Sequence, residues 1–140
     1  QKFITQFIIH NAQCIIEEVQ RVKEENIVVE KSKAFAVRIV RLYQYLCSDK
    51  NEFVLSKQLL RSGTSIGANV KEAIRGQSKP DFISKMSVAL KEASETEYWL
   101  ELLYETGFMD KKQFDSIYTD NQELLKILTR IVKSSKERRT

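Results

Sequence analysis

The residues best suited to chemistry are acidic and lie together in one predicted helix. They are Glu92, Glu95, Glu97, Glu101 and Glu105. Paired carboxylates can act as general acid and base, and helical bundles that hold two iron ions combine glutamates with two Glu-x-x-His pairs. The sole histidine, His10, has no glutamate three residues before it and lies outside the predicted bundle. The pattern therefore favours a solvated acidic face over a ferritin-like metal site. Glu97 borders the apolar stripe and is predicted to form a buried ion pair with an Arg or Lys of another helix.

The other reactive side chains have no partners at a useful spacing. Cys14 and Cys47 stand far apart, each within an apolar stretch, which predicts small buried hydrophobes rather than metal ligands or a disulfide. Ser62, Ser65 and Asn69 flank one apolar helix face, where interhelical hydrogen bonding is the predicted role. There is no phosphate-cradling glycine motif and no nucleophile elbow. The sequence therefore predicts a protein that is not an enzyme, with no catalytic residue, metal or cofactor.

Basic side chains are grouped on two predicted helices. On the second helix they are Lys57, Arg61, Lys71 and Arg75, and on the fourth they are Lys126, Arg130 and Lys133. Residues 32–79 carry nine Lys and Arg against three Asp and Glu, whereas residues 80–109 carry two against six. These seven basic residues are predicted to bind the phosphates of a nucleic acid without reading its bases. The alternative is that acidic and basic helices screen each other across the bundle surface.

The elements that must position these residues are helices. One proline, Pro80, and four glycines interrupt 140 residues, and apolar side chains recur at helical spacing. The pattern predicts an all-α fold, an antiparallel up-down-up-down four-helix bundle. The first two helices are expected from Ser32 as N-cap to Cys47 and from Val54 to Arg75. The third is expected to start at a boundary at Ser78 or Lys79, with Pro80 in its first turn, and to run to about Thr106 before a stop at Gly107. The fourth is expected after the N-cap Asp110.

The domain organisation follows from these helices. We expect an N-terminal appendage at residues 1–31, the bundle at 32–135 and a basic C-terminal tail at 136–140. The appendage is either a partner-binding helix or sequence upstream of a functional start near Val22. No segment approaches the ~20 uninterrupted apolar residues of a membrane span, and the isolated cysteines fit a reducing compartment. A cytoplasmic location with no membrane partner is therefore expected.

A second apolar patch on the third helix points away from its core stripe. Its members are Val88, Trp99, Leu102 and Leu103. Exposed aromatic and aliphatic clusters are typical of interface cores, so these residues are predicted to form an oligomer interface. The alternative is that a longer first helix or the N-terminal segment covers them.

Two segments resemble one protein family. Thr64–Ala73, TSIGANVKEA, resembles the Ser-Ile-x-x-Asn-Ile/Val-x-Glu-Gly signature of bacterial four-helix-bundle proteins encoded in rRNA intervening sequences, sometimes labelled ribosomal proteins. Arg75–Leu103 resembles the third helix of that family, including its Tyr-Trp-Leu stretch at residues 98–100. Ala73 departs from the signature, which often has glycine there, and residues 1–25 have no counterpart.

The resemblance implies a fold and a binding role. The family includes the accessory variability determinant of diversity-generating retroelements, a basic, barrel-like homopentamer that binds nucleic acid and a reverse transcriptase. By resemblance, the chain is expected to be a homopentamer whose partners are RNA or DNA and a reverse transcriptase or other protein. The leading hypothesis is thus a non-enzymatic, homo-oligomeric nucleic-acid or ribonucleoprotein accessory factor. The alternative is a protein-interaction scaffold that does not bind nucleic acid, and a metal or redox enzyme is the hypothesis that the residues favour least.

Overall fold

A computed structural model of the chain describes residues 1–138 and contains four α-helices with no β-strand among them. The helices are α1 (Lys2–Ser48), α2 (Leu55–Ile74), α3 (Lys79–Glu105) and α4 (Lys111–Glu137). Each helix packs against its two neighbours in the order α1, α2, α3, α4 and back to α1, with no diagonal contact between the described elements. This confirms the antiparallel four-helix bundle. Within the same residues no helix is both long and apolar enough to span a membrane.

The first helix is much longer than predicted. Ser32, expected as its N-cap, is buried in the middle of α1, where its hydroxyl donates to the Val29 carbonyl at 3.3 Å. Residues 2–48 contain neither glycine nor proline, so nothing in the backbone ends the helix before Ser48. Helix α1 therefore continues without interruption across residue 31, where the N-terminal appendage was expected to end. Cys14, expected to be buried, is exposed, and Cys47 is half-buried.

Small residues let α1 and α2 approach closely. A Cβ atom added at Gly63 would lie 2.7 Å from Cγ1 of Ile39, and one added at Gly67 would lie 3.2 Å from the Ser32 carbonyl oxygen. Close packing offsets the helix penalty of glycine, which is about 1 kcal/mol relative to alanine. The absence of a side chain at Gly63 and Gly67 therefore allows α1 to lie this close to α2.

The helix ends follow the sequence signals closely. The Ser78 hydroxyl accepts from the Asp81 N–H at 3.2 Å, with Pro80 in the first turn of α3. Gly107 ends that helix with a φ of 85°, a conformation that glycine adopts without strain. Asp110 and Gln113 form a reciprocal capping box at the start of α4. The basic tail expected at 136–140 begins inside α4, and residues 139–140 lie outside the described part of the chain.

Buried polar side chains connect α3 to both of its neighbours. The Thr96 hydroxyl donates to the Ser62 hydroxyl at 2.9 Å, and the Asn121 amide donates to the Ala93 carbonyl at 3.0 Å. Ser62 therefore makes the predicted interhelical bond. Ser65 and Asn69 do not, because both donate to carbonyls of their own helix, α2.

Candidate nucleic-acid interface

The seven predicted phosphate-binding residues do not form one surface. The residues on α2 and those on α4 belong to helices that lie diagonally opposite each other, so the bundle separates the two groups. Angular positions along one helix can be read from a sequence, but the order of helices around the bundle cannot. The basic residues of α2 and those of α4 are therefore two separate groups on helices that do not touch each other.

Two members of the predicted set are paired with carboxylates. Arg61 forms ion pairs with Glu92 at 3.2 Å and Glu95 at 2.5 Å, and Arg130 lies 3.8 Å from Glu24. Arg61 donates a hydrogen bond to the Glu95 carboxylate, and this bond is the largest cause both of the lowered pKa of Glu95 and of the raised pKa of Arg61. Arg61 therefore screens the acidic helix α3, as the alternative interpretation of the charge pattern expected.

Two other basic residues of α2, Lys71 and Arg75, border a groove between α1 and α2. The groove has a volume of about 880 Å³. Its basic residues are Lys71 and Arg75 from α2 and Lys33 and Arg41 from α1. None of these four side chains forms an ion pair or a hydrogen bond within residues 1–138, and no Asp or Glu of the described chain lines the groove. We call this feature the α1–α2 groove.

Lys33 and Arg41 are site residues that the sequence analysis missed. They lie on the first predicted helix, within the basic segment 32–79, but only the basic residues of the second and fourth helices were selected. Their spacing of eight residues, a little over two helical turns, is the signal that places them on neighbouring parts of one helix face. Lys57 is exposed on the same helix as Lys71 and Arg75, nearer the opposite end of the bundle, whereas Lys126 and Lys133 are exposed on α4.

The floor of the α1–α2 groove is apolar. Val29, Val37, Val40 and Ile74 line it and are between 38% and 43% exposed. It has no aromatic side chain on which a base could stack. The groove can thus hold anionic groups at its rim and an apolar surface at its centre.

The predicted oligomer patch is partly buried in the bundle. Leu103 is completely buried, and Trp99 packs against the core while its indole N–H donates to Glu95 at 3.3 Å. Leu102 is half-buried, and Val88 is 38% exposed. The placement of Leu103 in a surface patch is therefore wrong, because the facing helices enclose both sides of α3 at that level. A patch of Val88 and parts of Trp99 and Leu102 remains accessible.

The acidic residues of α3 form no metal site in this structure. The Tyr118 hydroxyl donates to Glu101 at 2.6 Å and also interacts with Glu97, and the bond to Glu101 is the main cause of a raised Tyr118 pKa. Glu97 thus faces a tyrosine and not the predicted Arg or Lys. Among residues 1–138, no three His, Cys, Asp or Glu side chains are grouped to hold a metal ion.

Comparison with known proteins places these features in a family. A crystal structure of a protein of unknown function from the S23 ribosomal protein family of Bacteroides thetaiotaomicron is 55% identical, with a TM-score of 0.77. The similarity covers 79% of this chain and 98% of that chain. Nothing among the curated proteins matches. Residues 24–130 match the family described as 23S rRNA-intervening sequence protein. Since that match includes all four helices of the bundle, the chain belongs to the 23S rRNA-intervening sequence protein family.

Proposed function

We propose that the protein is a non-enzymatic, homo-oligomeric accessory factor that binds the phosphate backbone of RNA through the rim of the α1–α2 groove. The observation that carries this proposal is the set of four cations, Lys33, Arg41, Lys71 and Arg75, which have no carboxylate partner and border one groove. Elsewhere on the bundle, cations such as Arg61 and Arg38 are paired with acids. Unpaired cations at one place are what a polyanion requires.

The family description supports RNA over other polyanions. The matching family is named for an intervening sequence of 23S rRNA. Because the groove has no aromatic platform and the chain has no base-reading motif, recognition is expected to be electrostatic and to depend on RNA shape. The number of copies implied by the family resemblance, five, stays a prediction that native mass spectrometry can test.

The experiment is fluorescence anisotropy with a labelled RNA hairpin over a series of salt concentrations. Each phosphate contact contributes roughly 0.7–0.9 to the slope of log affinity against log salt. The double variant K71E/R75E should therefore bind at least about tenfold more weakly and show a slope smaller by about 1.5. The matched control is K126E/K133E, which reverses the same number of charges on the opposite side of the bundle.

The two variants together decide the proposal. The control should retain most of the affinity and the slope of the unmodified protein. Equal losses in both variants would mean that only net charge matters, and binding that is absent or independent of salt would refute the proposal.

A protein-interaction scaffold is the second candidate, and the apolar floor of the groove favours it. Four half-exposed aliphatic side chains suit another helix better than a phosphate backbone. A pull-down from nuclease-treated lysate separates the two functions, because partners that bind through RNA are lost and direct protein partners are retained.

A further inference from the structure

A second pocket lies between α1 and the start of α4, and we call it the α1–α4 pocket. Its volume is about 460 Å³. Its polar side chains are those of Arg38, Arg41, Tyr45, Lys112, Gln113 and Ser116. Among residues 1–138, no Asp or Glu lines it. The pocket is therefore a positively charged cavity, on a different side of α1 from the α1–α2 groove.

Two cations of the α1–α4 pocket have no partner. Arg41 from α1 and Lys112 from α4 form no ion pair and no hydrogen bond within the described residues. The third cation, Arg38, is held by Asp120 at 2.5 Å. The Tyr45 hydroxyl likewise makes no hydrogen bond to the part of the chain that the structure describes. Two positive charges and a hydroxyl donor on facing helices suit one phosphate group.

The acidic side chains at the start of α4 are engaged elsewhere. Asp110 is the N-cap of the helix and accepts a backbone N–H bond at 2.8 Å. Asp115 pairs with Lys111 at 2.6 Å, and Asp120 is the partner of Arg38. Each of these carboxylates has its own donor, so the pocket keeps the positive charge of its two unpaired cations.

Arg41 connects this pocket to the α1–α2 groove. It lines both of them and is exposed on the outer side of α1. The part of α1 that lines the groove, from residue 29 to residue 44, spans about 23 Å. Arg41 lies near the end of that span, where the groove and the pocket meet.

The other cations of the groove lie before Arg41 along its length. Gly67 of α2 lies against Ser32 of α1, and the two helices are antiparallel. Lys71 and Arg75, which follow Gly67, therefore lie at the end of the groove that is remote from Arg41. An RNA strand that follows the groove from that end reaches Arg41 last, and the α1–α4 pocket is the next basic site on its path.

We infer that the α1–α4 pocket binds a phosphate of the same RNA strand that occupies the α1–α2 groove, held between Arg41 and Lys112. The identity of the ligand rests on the proposed function. The strand crosses the outer side of α1 at Arg41, so its backbone contacts α2, α1 and α4 in turn. A backbone that bends around α1 makes all of these contacts, which gives the protein a preference for RNA shape without any contact to a base.

The test compares two adjacent lysines in the first turn of α4. Lys112 lines the pocket, whereas Lys111 does not and is paired with Asp115. The variants K112Q and K111Q each remove one positive charge, and RNA binding is measured by fluorescence anisotropy over a salt series. Loss of one phosphate contact should reduce the slope of log affinity against log salt by about 0.7–0.9 and the affinity about fivefold near 0.15 M salt. We expect these losses in K112Q and neither of them in K111Q.

Two further variants separate charge from structure. K112R keeps the positive charge and should retain both the affinity and the slope of the unmodified protein. Since both lysines are exposed, thermal unfolding followed by circular dichroism should be the same in K112Q, K111Q and K112R. A loss of affinity in K112R equal to that in K112Q would overturn the inference.

A double-mutant cycle tests whether Arg41 and Lys112 share one phosphate. If they do, R41Q/K112Q should lose less affinity than the product of the two single losses, because either change already weakens the same contact. Arg75 lies at the remote end of the groove, so the losses in R75Q/K112Q should multiply. Losses that multiply in both pairs would overturn the shared site.

The outcomes distinguish this inference from the proposed function. Equal effects of K112Q and K111Q, together with a specific loss in K71E/R75E, would refute the pocket and retain the groove. A specific loss in K112Q, together with equal losses in K71E/R75E and K126E/K133E, would refute the groove and retain the pocket as a phosphate site. A protein that binds no RNA in any form would refute both.

Discussion

The two halves of α1 belong to one continuous helix but differ in what surrounds them. From Val28 to Leu46 the helix buries one face, and Val28, Phe35, Ile39 and Leu46 are at most 2% exposed. From Gln1 to Gln20 no side chain is buried. The apolar content of the two halves is similar, so the difference lies in the presence of neighbouring helices and not in the composition of the segment.

The comparison shows where the stability of the bundle comes from. Short helices are marginal alone, and most helical stability in proteins comes from packing an apolar face. The packed half, residues 28–46, gains that stability from α2 and α4. The half from Gln1 to Gln20, which we call the projecting half, buries no side chain against the other described residues. Substitutions of the same type in the two halves should therefore have very different effects.

The largest expected contrast is between two phenylalanines. Phe35→Ala should lower the free energy of unfolding by about 3–5 kcal/mol, because it leaves a cavity in the closed core. Phe7→Ala, at a position that is 60% exposed, should change it by no more than about 0.5 kcal/mol. Urea unfolding followed by circular dichroism at a fixed protein concentration measures both. Similar losses would mean that the two halves are packed alike.

Overpacking the α1–α2 contact should have a smaller effect. Gly63→Ala places a methyl group against Ile39, and the strain of about 1–3 kcal/mol exceeds the helix-propensity gain of about 1 kcal/mol. We expect a net loss of up to about 2 kcal/mol. In a double-mutant cycle with Ile39→Ala, the pair should lose at least about 0.5 kcal/mol less than the sum of the single variants. Strict additivity would show that the two residues do not touch.

Just after the C-terminal end of α1, a buried carboxylate caps the start of α2. The N-terminal end of α1 has no such cap. The buried Glu52 carboxylate accepts from the N–H groups of Val54, Leu55 and Ser56 at 3.2, 2.8 and 2.7 Å. Gln1, at the other end, makes no side-chain capping bond. Burial acts to raise the pKa of Glu52, but these backbone bonds outweigh it, and the pKa is lowered. The charged form therefore stabilises the fold.

The Glu52 cap predicts that stability depends on pH. Glu52→Gln should lower the free energy of unfolding by about 1 kcal/mol at pH 7. Because the folded pKa is lowered, the stabilisation is present above the ordinary carboxyl pKa and is lost as pH falls through the folded value. The difference in unfolding free energy between the two proteins should accordingly shrink in acid. A difference that is constant from neutral to acid pH would exclude the ionised carboxylate as its cause, and Glu17→Gln in the projecting half is the control.

The fold could be predicted because its signals are local. Apolar stripes, the cap at Asp110, Pro80 in a first turn and the stop at Gly107 each act within a few residues. The start of α1 could not be predicted in the same way. Ser32 suggested the start of a helix, but the chain is already helical before it, and the preceding residue Val28 is buried by neighbouring helices.

The candidate site was only partly predictable because it depends on which helices are adjacent. Lys71 and Arg75 were found from their spacing on α2, but Lys33 and Arg41 join them only because α1 is the neighbour on that side. Arg61 does not belong to the site, because it faces the other neighbour of α2, helix α3, and pairs there with Glu92 and Glu95. Helix order around a bundle is set by packing, which no single helix encodes.

The smallest expected effect concerns charge in the packed half. Arg38 pairs with Asp120 at 2.5 Å and donates to the Ser116 hydroxyl at 2.8 Å, but the two charged side chains are 40% and 41% exposed. Such half-exposed pairs contribute little because water and salt screen them. Arg38→Gln should therefore cost only about 0.5 kcal/mol in dilute buffer, and the cost should decline in about 0.5 M sodium chloride. The control is Lys23→Gln, which removes an exposed cation that forms no ion pair within residues 1–138. It should change neither the free energy of unfolding in dilute buffer nor its dependence on salt. A loss at Arg38 above about 2 kcal/mol, unaffected by salt, would mean that charge pairing and not apolar burial separates the two halves of α1.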